Sequence, residues 1–305
     1  MTVRYSVALP NDRVDRPDEF LTADAVADVA RTIEDAGFDA CFVTDHPFGG
    51  DRWLAAGGHH ALEPLVQLSF AAAATTTLRL HTNIYVLSYR NPFLAAKSIL
   101  SLDVLAGGRV ILGVGAGYVR SEFDALGVDF PERNELLEEG IEAMKLAWTQ
   151  DGVAVDGRHF RARGNTMLPR PASRPHPPIW MGGNSKRAIR RAVASCQGWS
   201  PLPTAPGRAP RTAPVDNLED LRLRIALLHK EVEAIGRNEP LDICLSLITP
   251  SPGSADYRPR LTRSYVRGLA DLGVTWIGVR PSGADRPTYL AEARRFADDV
   301  IAPLR

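Results

Sequence analysis

Residues 110–117 read Val-Ile-Leu-Gly-Val-Gly-Ala-Gly, a short apolar run that ends in alternate glycines. A dinucleotide-binding turn needs Gly-x-Gly-x-x-Gly opening directly onto a helix. Here the third glycine, Gly117, comes one residue early and no clean helical period begins at once. The stretch reads instead as a buried strand with a small-residue end. Those glycines either let a flat ring lie against the backbone or allow tight packing at the strand end.

Similar runs recur on both sides of it. Tyr5–Leu9, Ala40–Thr44, Leu78–Val86, Pro178–Met181, Gly198–Leu202, Leu241–Ile248 and Val274–Val279 are short and rich in Val, Ile and Leu, as strands buried on both faces are. Between them lie helical patterns at about 22–36, 64–75, 92–106, 133–149, 185–195, 218–236, 258–272 and 286–302. Gly37 closes the first helix, Asn91-Pro92 opens the third, and Asn184 stands at the expected cap of the fifth. Eight strand–helix pairs in strict alternation predict one (β/α)8 barrel, a closed parallel sheet, over residues 1–305. Two segments break the alternation and are expected to be excursions on that scaffold. They follow strands four and six: residues 150–177, with the pattern of a hairpin and a Pro-rich strip, and residues 203–216, rich in Pro and Ala.

Composition narrows the function classes. The 305 residues carry 36 Lys+Arg and 36 Asp+Glu, so the net charge is zero. A nucleic-acid binder or a basic membrane-surface protein would show an excess of positive charge, and neither partner is expected. With 45% hydrophobic residues the chain can form a core. No run approaches a membrane span, and no apolar signal core opens the sequence. Cys41, Cys196 and Cys244 are scattered, odd in number and form no CxxC pair. A cytoplasmic protein without disulfides is expected.

In such a barrel the chemistry lies at the carboxyl ends of the strands. Asp45-His46 follows strand two and is the best acid–base pair, since histidine titrates near neutrality and a carboxylate can hold it in place. Gly182-Gly183-Asn184-Ser185 runs into a helix start, where free N–H groups and the helix dipole favour an anion such as a cofactor phosphate. Arg280-Pro-Ser282-Gly283 is a second anion candidate after the last strand. Lys186-Arg187 and Arg190-Arg191 are expected on a solvated helix face, with positive potential near the anion site. His59-His60 reads as a solvated loop rather than a metal site, because no acidic cluster or HExxH accompanies it. Ser69, Ser98 and Ser121 lack the Gly-x-Ser-x-Gly elbow of a hydrolase.

Taken in order, these pieces resemble the luciferase-like monooxygenase superfamily, and within it the coenzyme F420-dependent oxidoreductases common in actinobacteria. The resemblance rests on Glu34-Asp-Ala-Gly37-Phe-Asp39, Thr44-Asp45-His46, Arg90-Asn91-Pro92, Ser101-Leu-Asp103, Gly108 through Gly117, Glu122-Phe, Gly127, Trp148, Pro177 through Ser185, and Gly198-Trp199. It implies a TIM barrel holding F420, or alternatively FMN, at the strand ends. Asp45 and His46 would face the ring system, with His46 near the reacting carbon. Asn83-Ile84 would form a non-proline cis peptide behind the ring. Gly115, Ala116 and Gly117 would flank the ring, and Gly182, Gly183, Asn184 and Ser185 would take the phosphodiester tail.

The substrate would be a small molecule, roofed by the excursions and by the loop 47–62 containing Phe48, Arg52 and Trp53, with Tyr118 also in its pocket. Sugar-phosphate dehydrogenases of the branch carry glutamate where this chain has Tyr118, which speaks against glucose-6-phosphate. Gln197 replaces a usual acidic residue. Hydride transfer with F420 is the leading expectation. A two-component monooxygenase using reduced FMN and oxygen is the alternative, and a non-catalytic flavin-binding protein is a reading of another class. The resemblance also implies a homodimer.

Overall fold

A computed structural model describes residues 3–203 and 213–305. Eight parallel strands close on themselves: β1 (Arg4–Ala8), β2 (Ala40–Val43), β3 (Arg79–Val86), β4 (Val110–Gly115), β7 (Ile179–Gly182), β8 (Gly198–Ser200), β9 (Asp242–Ser246) and β10 (Trp276–Val279). Closure is made by β1, which pairs with β2 on one side and β10 on the other. The two remaining strands, β5 (Val153–Asp156) and β6 (Arg161–Asn165), form an antiparallel hairpin between the fourth and fifth barrel strands. That hairpin is the expected excursion after strand four. The expected excursion after strand six lies mostly at 204–212, outside the described residues.

Each barrel strand matches its sequence run to within a few residues, because a strand buried on both faces must be apolar throughout. The helices Ala23–Asp35, Pro64–Ala74, Pro92–Leu105, Arg133–Thr149, Lys186–Ser195, Leu218–Ala234, Pro259–Asp271 and Arg286–Phe296 also fall where the periodicity put them. Asn91 caps Pro92–Leu105 by accepting from the N–H groups of Phe93 and Leu94, and Gly37 ends the first of these helices at φ +85°. One cap differs by a residue. Ser185, not Asn184, caps Lys186–Ser195, its side chain accepting from the Ala188 N–H.

The main core lies between the barrel wall and the helices, while a smaller cluster of Ala40, Ile111, Trp180, Cys244 and Trp276 is buried separately. Three short helices escaped the pattern: Pro17–Phe20, Asp51–Ala55 and Arg120–Ala125. They span a turn or two, too little for a 3.6-residue period to register. Among the described residues no helix is long and apolar enough to cross a membrane.

β3 carries one more residue than β4 where the two pair: Thr82 faces Leu112, but Tyr85 faces Val114. The Asn83–Ile84 bond inside this irregularity is cis. The bulge aims Ile84 at the neighbouring strand ends. A Cβ on Gly182 would stand 2.8 Å from Ile84 Cδ1, and one on Gly115 would stand 3.0 Å from Ile84 Cγ2. The alternate glycines at 113 and 115 therefore serve tight packing around a bulge.

Candidate active site

A cavity of about 220 Å³ opens at the carboxyl ends of the strands, with Ile84 and Gly115, Ala116 and Gly117 among its lining residues. Thr44, Asp45, His46, His59 and Tyr118 contribute to it from the β2 and β4 sides. Arg133, Asn134, Gly182, Gly183, Ser185, Ala188 and Arg191 contribute from the helices Arg133–Thr149 and Lys186–Ser195 and the end of β7. Of the site residues expected from sequence, the structure brings Asp45, His46, Asn83, Ile84, Gly115, Ala116, Gly117, Tyr118, Gly182, Gly183 and Ser185 to this one cavity.

His46 is held on every side. The Trp53 indole lies against it with ring centroids 4.4 Å apart, and His59 meets it edge-on at 4.8 Å. Its Nδ1 stands 3.3 Å from Glu122 Oε2 and its Nε2 lies 3.5 Å from the Tyr118 hydroxyl. Tyr89 donates its hydroxyl to the same Glu122 oxygen at 2.7 Å. Burial, then the hydrogen bond to that carboxylate, drives the Tyr89 hydroxyl far above its ordinary range, so it stays protonated.

Asp45 lines the cavity and is at the same time held by its neighbours. It is 3% exposed, and its carboxylate accepts the Val86 N–H at 2.8 Å and a two-pronged grip from Arg90. Charge-assisted bonds of this geometry commit the carboxylate to holding the β3 end.

Asn184 also turns inward. Its carboxamide donates to the carbonyls of Leu202 and Ala213 and accepts the Leu202 N–H, so it braces the segment after β8 instead of lining the cavity. Trp53 likewise stacks behind His46 and is not among the lining residues. At the second anion candidate, Arg280 to Gly283, the buried Glu292 carboxylate already accepts the Ser282 N–H and hydroxyl. A protein carboxylate thus fills the place considered for an external anion.

His59 is the reverse case: it lines the cavity, although the loop reading placed it in solvent. Burial, with the neighbouring His46 charge adding to it, pushes its pKa down to about 4, so the ring is neutral near neutral pH. Its Nδ1 faces the His60 carbonyl at 2.9 Å. Glu122, Tyr89 and Arg133 were also outside the expected set. Arg191 was read as part of a solvated helix face adding positive potential near the anion site, and it lines the cavity itself. Arg191 is bonded to Glu138 and Asn134. Arg133 stacks over Phe130 and donates to its carbonyl, and among the described residues it pairs with no carboxylate. Burial and repulsion from Arg120 and Arg187 lower its pKa. No group of three or more His, Cys, Asp or Glu that could hold a metal gathers among the described residues.

Residues 3–266 match the family model described as luciferase-like monooxygenase. The chain belongs to this family. Its members are oxidoreductases, and the relatives divide between two cofactors. The chain is 34% identical over 150 residues to the F420-dependent glucose-6-phosphate dehydrogenase of Kineococcus radiotolerans, covering 48% of this chain and 43% of that one. It is 38% identical over 112 residues to the FMNH2-dependent dimethylsulfone monooxygenase of Pseudomonas putida, covering 36% and 31%. It also matches an uncharacterised protein of Mycobacterium tuberculosis at 32% over 208 residues, 64% of this chain and 72% of the other. Among solved structures, the monooxygenase RslO1 of Streptomyces bottropensis superposes with a TM-score of 0.81 at 19% identity, over 99% of this chain and 100% of that one, which supports the luciferase-like barrel fold.

Proposed function

We propose that this luciferase-like protein is an F420-dependent oxidoreductase that transfers hydride between the deazaflavin and a small organic substrate. The observation that carries this reading is the composition of the cavity: Ile84 and the glycine strand ends, the side chains of His46, His59 and Tyr118, and Arg133, Arg191 and the helix start at Ser185. The residues suit such a group. Gly115 and Gly182 let Ile84 pack flush against the strand ends, since a Cβ on either would meet it at 3.0 Å or less, and Gly117 leaves no side chain of its own beside Val86 and Phe123. The amides that open Lys186–Ser195, with Arg133 and Arg191, suit an anionic tail. When bound, F420 would supply the hydride carrier.

The chain's own residues divide the remaining work. Ile84 and the glycine strand ends set the plane of the floor. The Arg90–Asp45 pair fixes the backbone at Val86, just beyond the bulge. His46 Nε2, beside the Tyr118 hydroxyl, takes or returns the proton that accompanies hydride movement. Trp53 covers one face of His46 and limits its access to water.

The F420-dependent relative matches over more residues and the FMNH2-dependent one at higher identity, so cofactor binding is the deciding measurement. Separate titrations with F420 and FMN, read by fluorescence quenching of Trp53 and its neighbours, test the choice. Saturable F420 binding supports it, whereas binding of FMN alone would replace it with a flavin monooxygenase. His46→Ala should abolish turnover while leaving binding intact. Unchanged turnover would remove the proposed role of His46.

The proposal includes a cytoplasmic homodimer. Pro64–Ala74 and Pro92–Leu105 are apolar nearly all round. They bury Leu68 and Ile99 inward yet expose Val66, Leu94 and Leu105 along one shared groove, and Phe70 is exposed as well. Helices of that composition belong against a second apolar surface. Sedimentation of a Leu94→Glu, Leu105→Glu variant as a monomer, against a wild-type dimer, would support it; a monomeric wild type would refute it.

A further inference from the structure

We infer that Glu122 is the positioning residue of His46: its carboxylate accepts the Nδ1–H, fixes that tautomer, and so presents an unprotonated Nε2 to the cavity. This inference rests on the reading of His46 as the proton-exchanging group.

Glu122 sits on the short helix Arg120–Ala125 with no exposed side-chain surface, and the His46 side chain is only 7% exposed. An ionised carboxylate can only accept, so a neutral imidazole facing it at 3.3 Å must carry its hydrogen on Nδ1. The other groups around His46 are not rivals for that role. Trp53 covers a ring face, while His59 and Tyr118 meet it edge-on. Tyr118 lies at the opposite nitrogen, Nε2. Among the described residues, Glu122 is the one that places a carboxylate against the ring.

The surroundings of Glu122 point the same way. Among the described residues no lysine or arginine pairs with it, and its Oε1 is buried with no hydrogen-bond partner. Tyr89, from the turn Leu87–Tyr89, donates to Oε2 and so holds the carboxylate at the correct distance from His46. A buried carboxylate without a fixed cation is costly unless a neighbour can become one, and His46 is the adjacent group able to do so. The carboxylate therefore stabilises the imidazolium that forms when His46 takes a proton. His46 acts on the substrate, whereas Glu122 and Tyr89 act through His46.

Long-range proton–nitrogen correlation spectra of histidine-labelled, ligand-free protein at about pH 7.5 report the tautomer without any cofactor present. The expected wild-type pattern is a protonated Nδ1 and a free Nε2 on His46. Glu122→Gln should shift the ring toward the Nε2–H form and lower kcat by roughly tenfold to a hundredfold with little change in KM, and Glu122→Asp should restore part of the Nδ1–H signal. Wild-type His46 in the Nε2–H form would overturn the inference, as would an unchanged tautomer in a folded Glu122→Gln. Should Glu122→Gln fail to fold, Tyr89→Phe serves instead. Removing the competing donor should shorten the His46–Glu122 bond and move the Nδ1 proton downfield, and no movement would count against the inference. Failure of both F420 and FMN to bind would defeat the functional reading and leave the spectroscopic result standing.

Discussion

Arg90 grips Asp45 with two parallel bonds, Nη1 to Oδ2 at 2.6 Å and Nη2 to Oδ1 at 3.0 Å, across 45 residues of sequence. The pair anchors the end of β3 because the same carboxylate accepts the Val86 N–H. Removing one partner strands the other, and Asp45 has almost no access to water. Arg90→Met should cost about 2–4 kcal/mol of unfolding free energy, below the full buried-pair penalty because 20% of the Arg90 side chain is in solvent. Urea unfolding at neutral pH measures this. Arg90→Lys should recover only part of the loss, since an ammonium lacks the two-pronged geometry.

Two glycines of the same strand should respond unequally to alanine. A Cβ on Gly113 would stand 2.1 Å from the Thr82 carbonyl oxygen, which is backbone and cannot move aside. On Gly115 the closest atom is an Ile84 methyl at 3.0 Å. Gly113→Ala should fail to fold or lose more than about 3 kcal/mol, whereas Gly115→Ala should stay within about 2 kcal/mol. Gly115→Ala should still weaken cofactor binding, because the added methyl disturbs the floor under the proposed ring. Thermal melts and cofactor titrations of the two variants distinguish these effects.

Acid should destabilise the fold through buried histidines. His81 has no exposed surface and neither ring nitrogen has a partner; burial, with the Arg79 charge second, pushes its pKa from 6.5 down to about 3. Between those values the unfolded chain binds a proton that the folded chain refuses. This contribution is therefore intact above pH 6.5 and is lost progressively as pH falls toward 3, at about 1.4 kcal/mol per pH unit. His59 adds to the decline between 6.5 and about 4. His81→Phe should flatten the acid limb by about one proton while changing neutral stability by less than about 1.5 kcal/mol. Denaturation midpoints across that pH range test it, and an unaltered slope would exonerate His81.

At the anion end, Arg133 and Arg191 should differ. Arg133 makes no carboxylate pair among the described residues, while Arg191 is bonded to Glu138. Arg133→Ala should weaken F420 and FMN binding about tenfold, with little loss of stability and a smaller dependence on salt. Arg191→Ala should weaken binding and also lower the melting temperature, because Glu138 loses a partner. Titrations at low and high ionic strength, with melts of each variant, separate the two.

The sequence by itself determined the elements and their order. Strands buried on both faces must be continuously apolar, helices must show their period, and Asn91 and Gly37 mark helix ends through forces acting over a few residues. The same local logic found the hairpin excursion and placed His46 and the glycine turns at strand ends. Only barrel closure decided which side chains meet. Glu122 reaches His46 across 76 residues from a helix too short to show a period. His59 and Arg133 enter the cavity because their neighbours crowd around it, and no local pattern encodes that approach. Side chains that looked available were already engaged: Asp45 by Arg90, Asn184 by Leu202 and Ala213, and the 280–283 turn by Glu292. A buried polar group must find a partner, and which partner it finds is settled in three dimensions.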